Sequence, residues 1–201
     1  MAAQNGGAGF VPLAGDAIAG INHAINYQMI QGVKEKKSKA SQFRHARDNA
    51  VAALGKVLKF QGANVDSNTL IGNFVSAMPL TDDMEEAKFV NEFVTFGLLK
   101  SPETFIGANN ERLEHIVTIL GAISAKKQSN DITLERLAVF ISNISNGPIG
   151  AQFQGLCQKL DEEKKSRLAE LYSSINDEVR QRVEASLAQW FNLLIKVKFW
   201  N

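Results

Sequence analysis

"DNAVAALGKVLKF", residues 48–60, decides the fold. Between Asp48 and Lys56 it carries no charge, and Ala50, Ala52, Ala53 and Gly55 stand among Val51, Leu54, Val57 and Leu58. A surface helix of an ordinary domain shows one apolar stripe, whereas small residues on several sides let neighbouring backbones approach on more than one face. The stretch predicts a slim helix buried between other helices.

Outward from it, nearly every segment repeats a helical period. In "GDAIAGINHAINYQMI" (15–30) Asp16 can cap a helix with Ile18, Ile21, Ala24, Ile25 and Met29 on one face. A charged connector, "QGVKEKKSKASQFRHAR", leads to the opening helix, expected from about Ser41 to Phe60. "DSNTLIGNFVSAMPL" offers Asp66 or Ser67 as a cap and Pro79 as a stop. "TDDMEEAKFVNEFVTFGLLKSP" has a capping pair, Asp82 and Glu85, and ends at Ser101-Pro102. Leu113, Ile116, Val117 and Leu120 mark the next helix, and Leu134, Leu137, Ala138 and Ile141 the one after. Phe153, Leu156, Cys157 and Leu160 follow; Asp161 then caps "EEKKSRLAELYSSI", and Val179, Val183 and Leu187 align a last helix. Before the last few residues no segment alternates with a period of two, so the chain is expected to be all-α.

Composition narrows the function classes. At 201 residues with 45% hydrophobic content the chain can bury one substantial core. A net charge of +1 gives no global reason to hold nucleic acid or anionic membrane. The single cysteine, Cys157, excludes an internal disulfide and suits a reducing compartment. The N-terminal stretch lacks the basic and apolar regions of a secretory signal, and no run is apolar enough to span a bilayer. Cytoplasm and nucleus are the expected compartments.

The helices recur in pairs. "AVAALGKVL", "AKFVNEFVTFGLL" and "LERLAVFISNI" begin roughly 40 to 50 residues apart, the period of HEAT and armadillo arrays. Such a repeat needs neighbours on both sides to cover its apolar faces, which accounts for a slim inner helix. The expected fold is a HEAT-repeat α-solenoid of antiparallel helix pairs in a right-handed stack; an irregular helical bundle is the alternative.

The run from Asp48 to Val90 resembles the C-terminal region of importin beta family nuclear transport receptors, most of all the importin-five-like branch. "MPLTDDMEEAKFV", "IGANNERLEHIVTIL" and "LDEEKKSRLAELYSS" carry the similarity, which covers about residues 41 to 174. The resemblance implies a non-enzymatic, protein-binding solenoid that takes import cargo on its inner helices and phenylalanine-glycine (FG) nucleoporins on its outer ones. It also implies the rear part of such a receptor, without the N-terminal repeats that grip the GTPase Ran. Family members are acidic and end near Ser174, whereas this chain is nearly neutral and continues. Residues 1–14 are read as a flexible segment, 15–174 as the HEAT-repeat domain and 175–201 as a C-terminal helix with an apolar tail.

Four residues, Leu70, Phe74, Leu113 and Val117, are expected to line clefts between outer helices where a phenylalanine could insert. Asp82, Asp83, Glu85 and Glu86 could face basic cargo, although carboxylates at a helix N-terminus are stabilised there in any case. Lys34, Lys36, Lys37, Lys39, Arg44 and Arg47 form a basic stretch read as a solvated loop. Trp190, Phe191, Phe199 and Trp200 could cap the solenoid, self-associate, or rest on a membrane beside Lys196 and Lys198; action through this tail is the alternative to transport.

No catalytic, cofactor or metal site is expected. His23, His45 and His115 stand on different predicted helices without ligands at metal spacing. Cys157 sits on an apolar stripe, and neither a phosphate-cradling loop nor a nucleophile elbow occurs. The Asn143-Ile144-Ser145 sequon carries no meaning in the expected compartment.

Overall fold

The computed structural model describes residues 2–31 and 37–196, with 28–31, 37–40, 126 and 191–196 described in backbone only. Among the described residues it contains eleven α-helices and no strand. The chain divides into two compact units, Met1–Val90 with Leu193–Asn201, and Asn91–Asn192.

In the first unit, α1 (Ala2–Asn5) and a 3-10 segment (Gly7–Leu13) lead into α2 (Ala14–Gln31), then α3 (Lys37–Gln61) and α4 (Ser67–Ser76). The start expected to be flexible is packed. Ala3, Phe10 and Ala14 form a buried cluster with Val57 of α3, flanked by Ala17, Ile18, Ile21 and Val65. Gln61 donates to the Ala3 carbonyl at 2.8 Å. Asp16 lies in the first turn of α2 and is not its cap. The basic stretch is also not a loop, because α3 begins at Lys37. Lys, Ala, Gln and Arg are good helix formers, and "KSKASQFRHAR" contains no glycine or proline to stop them. Lys34 and Lys36 lie outside the described residues.

The slim middle of α3 is enclosed. Val51, Ala52 and Leu54 are fully buried, with Val57 and Leu58 nearly so. A Cβ on Gly55 would stand 3.0 Å from the Phe74 ring of α4 and 3.7 Å from the Phe89 ring of α5 (Met84–Lys100). While α1 and α2 pack on α3 from one side, α4 packs from another. The caps around α4 and α5 follow local chemistry. Asp66 accepts the Thr69 amide at 3.3 Å and its hydroxyl at 2.7 Å. Asp83 caps α5 by accepting the Glu86 amide at 3.0 Å, one residue later than the predicted Asp82 and Glu85 pair.

The second unit continues along α5 from Asn91 through α6 (Pro102–Ile106), α7 (Leu113–Ile123), α8 (Asp131–Ser145), α9 (Gly150–Cys157), α10 (Glu162–Ser173) and α11 (Asp177–Lys196). Both α9 and α10 pack on α7 and α8. Its core is Leu113, Ile116, Ile119, Leu120 and Ile123 of α7 with Leu137 and Ala138 of α8, all inaccessible. The "IGANN" turn has a mechanical reason. Gly107 takes φ +87°, a conformation open to glycine, and Asn109 and Asn110 follow with positive φ. Arg112 then folds back, donating to the carbonyls of Phe105 at 3.0 Å and Thr104 at 2.8 Å, and so satisfies the end of α6. Asn130 and Asp161 cap α8 and α10 by accepting the amides three residues on, each at 2.9 Å.

Gly55→Leu is expected to cost about 1–3 kcal/mol by overpacking against Phe74, read as a lowered urea midpoint. A wild-type midpoint for this variant would mean that α3 has spare room around it.

Candidate partner-binding site

The acidic turn is saturated from within the first unit. Asp48, in α3, is wholly buried, and its Oδ2 accepts the amides of Thr81, Asp82 and Asp83 at 2.9, 2.7 and 3.0 Å. One carboxylate oxygen thus gathers the free N–H groups ahead of α5, where a helix N-terminus favours negative charge. Arg44 donates to Asp82 at 2.8 Å, and His45 stands 3.0 Å from Asp83. Lys56 reaches both oxygens of Glu86 at 2.7 and 2.8 Å, and Glu85 pairs with Lys88, one turn along α5. Arg47 donates to the Ala77 carbonyl. Arg44 of the basic stretch thus meets the acidic turn across 38 residues of chain, and Lys56, further along α3, meets it across 30.

Of the four cleft residues expected from the sequence, none is open. Phe74 and Leu113 are inaccessible, and Leu70 and Val117 are buried at 6% and 2% exposure. Their stripes face inward because each helix has neighbours on both sides, which periodicity alone does not reveal. The cavities lie elsewhere. In the second unit a cavity of about 230 Å³ has buried Leu98, Ile106, Phe140 and Ile144 as its floor and half-buried Leu99 and Pro102 at its edge. It forms where α5 stops at Ser101-Pro102 and α8 stops before Gly147-Pro148, leaving two helix ends side by side. A second groove, about 300 Å³, lies among α8, α9 and α10, with Ile141, Phe153, Cys157, Leu168 and Tyr172 on its walls. The sequence signal for the first cavity was its two proline stops.

Trp190 is not available for association. It is 7% exposed, stacked on Phe96 with centroids 4.7 Å apart, and its indole N–H donates to Glu92 at 2.7 Å. The Arg136 guanidinium lies 5.4 Å over the same indole ring. Arg136 is itself buried, with Nε donating to the Ser186 hydroxyl at 3.1 Å and Nη1 3.6 Å from Glu92 without a hydrogen bond. Burial pulls this guanidinium below its ordinary pKa, and the charge of Glu92 opposes that shift. Phe191 is described in backbone only, and Phe199 and Trp200 lie outside the described residues.

Cys157 is half-buried, and burial raises its pKa, which keeps it a thiol. Among the described residues no three His, Cys, Asp or Glu side chains gather at metal distance, and no helix is long and apolar enough to cross a membrane. No protein-family model matches the chain.

Two expectations follow from the acidic turn. Asp48→Ala strands three amides and should cost about 2–4 kcal/mol, measured by urea unfolding; an unchanged midpoint would mean that water or another group takes over. The second concerns acid. The Arg44 and Thr81 hydrogen bonds hold the Asp82 carboxyl below the usual range, Thr69 does the same for Asp66, and Lys164 for Asp161. With folded pKa values below unfolded ones, this stability is present above about pH 4 and is lost as pH falls through the folded values. Replacing all three with asparagine should flatten the fall in thermal midpoint between about pH 4 and pH 2; an equally steep fall would assign acid sensitivity to other groups.

Proposed function

We propose that this chain is a protein-binding module of HEAT-type helix pairs, of the nuclear transport receptor kind, that takes cargo and FG nucleoporins and has no catalytic role. The observation that carries the reading is a recurring side-chain tie between helices that are not consecutive in the chain. In the first unit Lys56 of α3 reaches Glu86 of α5. In the second, Glu92 of α5 pairs with Arg136 of α8, and Glu135 of α8 with Arg182 of α11. These ties skip one helix between α3 and α5 and two helices between α5 and α8 and between α8 and α11, and side chains that reach past the next helix fit a stack of helix pairs. The enclosed small-residue helix α3 and the paired packing around α7 and α8 support it further.

Within this reading the cavity edged by half-buried Leu99 and Pro102, with Leu98, Ile106, Phe140 and Ile144 beneath, is the FG contact. It is apolar, it lies at helix ends, and it has room for one aromatic ring. Titration of the full chain with an FG-repeat peptide and a serine-substituted control tests it by amide chemical shifts. Saturable binding of the first peptide only is expected, with shifts at the cavity and at least fivefold weaker binding by Leu99→Glu. A folded chain that binds neither peptide would remove the transport reading.

A further inference from the structure

The chain contains two Asn-Gly pairs, Asn5-Gly6 and Asn146-Gly147. In such a pair the main-chain nitrogen of glycine can attack the side-chain carboxamide carbon of asparagine, because glycine has no Cβ to hinder the approach and its backbone angles are free. A new C–N bond closes a succinimide ring, and the glycine N–H proton leaves with the side-chain nitrogen as ammonia. Water then opens the ring at one of its two carbonyl carbons, giving aspartate or isoaspartate. Water is the only co-reactant.

The fold treats the two pairs differently. At the end of α8 both reacting groups are tied. The Asn146 carboxamide donates to the Ser142 carbonyl at 2.8 Å, back along the helix, and the Gly147 N–H donates to the Ile144 carbonyl at 3.1 Å. At the end of α1 the nucleophile is tied, Gly6 donating to the Ala2 carbonyl at 2.8 Å, while the Asn5 carboxamide has no hydrogen-bond partner among the described residues. Asn5 and Gly6 are both exposed, at the end of a helix of four residues. Each hydrogen bond that must open before the atoms meet lowers the reactive population severalfold.

We propose that Asn5 is a site of spontaneous deamidation in the first unit, and that Asn146 is held against the same reaction. The product forms where a charge is foreign. Residues 1–15 carry no charged side chain, and Asn5 lines a hollow of about 450 Å³ with Ala2, Gly6, Gly9, Phe10 and Leu13. A carboxylate there stands beside the main-chain carbonyls that end α1, where negative charge is disfavoured. Isoaspartate also lengthens the main chain between Ala3 and Phe10, two members of the cluster closed by Ala14 and Val57. Deamidation therefore loosens that cluster. The reaction needs no partner, so it stands apart from the transport reading.

The full chain, held in mildly alkaline buffer and sampled over weeks, tests the assignment. Peptide masses report the conversion of amide to acid at each asparagine. In the folded chain Asn5 is expected to convert at least threefold faster than Asn146, and in guanidinium chloride, where both pairs are free, the two rates should meet. Equal or reversed rates in the folded chain overturn the proposal, as does a folded chain in which neither site converts. A ratio that denaturant leaves unchanged assigns the difference to sequence neighbours and overturns the structural argument. Asn5→Asp reads the consequence by amide hydrogen exchange. Its amides from Ala3 to Ala14 are expected to exchange at least threefold faster than those of Asn5→Gln, and equal exchange overturns the loosening.

Discussion

Phe74 lies against Gly55 with no room for a larger residue between them, and much of the first unit depends on that approach. A chain without strands among its described residues has only helix faces with which to cover helix faces. A helix inside a stack must then be narrow. In α3 the alanines and Gly55 make it so, and Val51, Leu54 and Val57 fill the space that remains. The same device returns in the second unit, where a Cβ on Gly97 would overlap the Phe105 ring. Two glycines inside long helices are normally a cost of about 1 kcal/mol each. Here each one admits an aromatic ring from a neighbouring helix.

Much of this was legible in the sequence, and the boundary lies where local chemistry gives way to distant chemistry. Asp66 and Asp161 act as the caps their positions suggested, and Pro102 opens a new helix where a stop was expected. The apolar stripes of α7, α8 and α11 are buried as their spacing required. The cap of α5 slipped by one residue because Asp82 is held by Arg44, far back in α3, and Asp83 was left to receive the amide. The helix expected from about Ser41 begins at Lys37, and its first turn was hidden because 37–40 carries no apolar stripe, although its residues favour a helix.

The candidate site was less legible than the fold. Periodicity identifies the face of a helix that is covered, and says nothing about which neighbour covers it. Leu70, Phe74, Leu113 and Val117 were on the right faces, and those faces were full. The cavity that is open comes from two helix ends meeting, a tertiary coincidence. Trp190 finds Glu92 across 98 residues of sequence, which no local reading can anticipate. Likewise a net charge of +1 concealed an internal order, in which Arg44, His45 and Lys56 answer Asp82, Asp83 and Glu86 one for one.

That order divides by how much water each pair sees. Lys159 and Glu114 meet with both side chains more than 60% exposed, and Arg182 meets Glu135 half in solvent. Mobile ions reach such pairs, and at roughly 1 M salt the screening length of about 3 Å is no longer than the pair itself. Asp48 is different, because its side chain is 1% exposed and its bonds run to uncharged backbone amides. Ionic strength therefore sorts the joints of this protein into two sets. The outer ties loosen with added salt, while the joint between α3 and the start of α5 keeps its geometry.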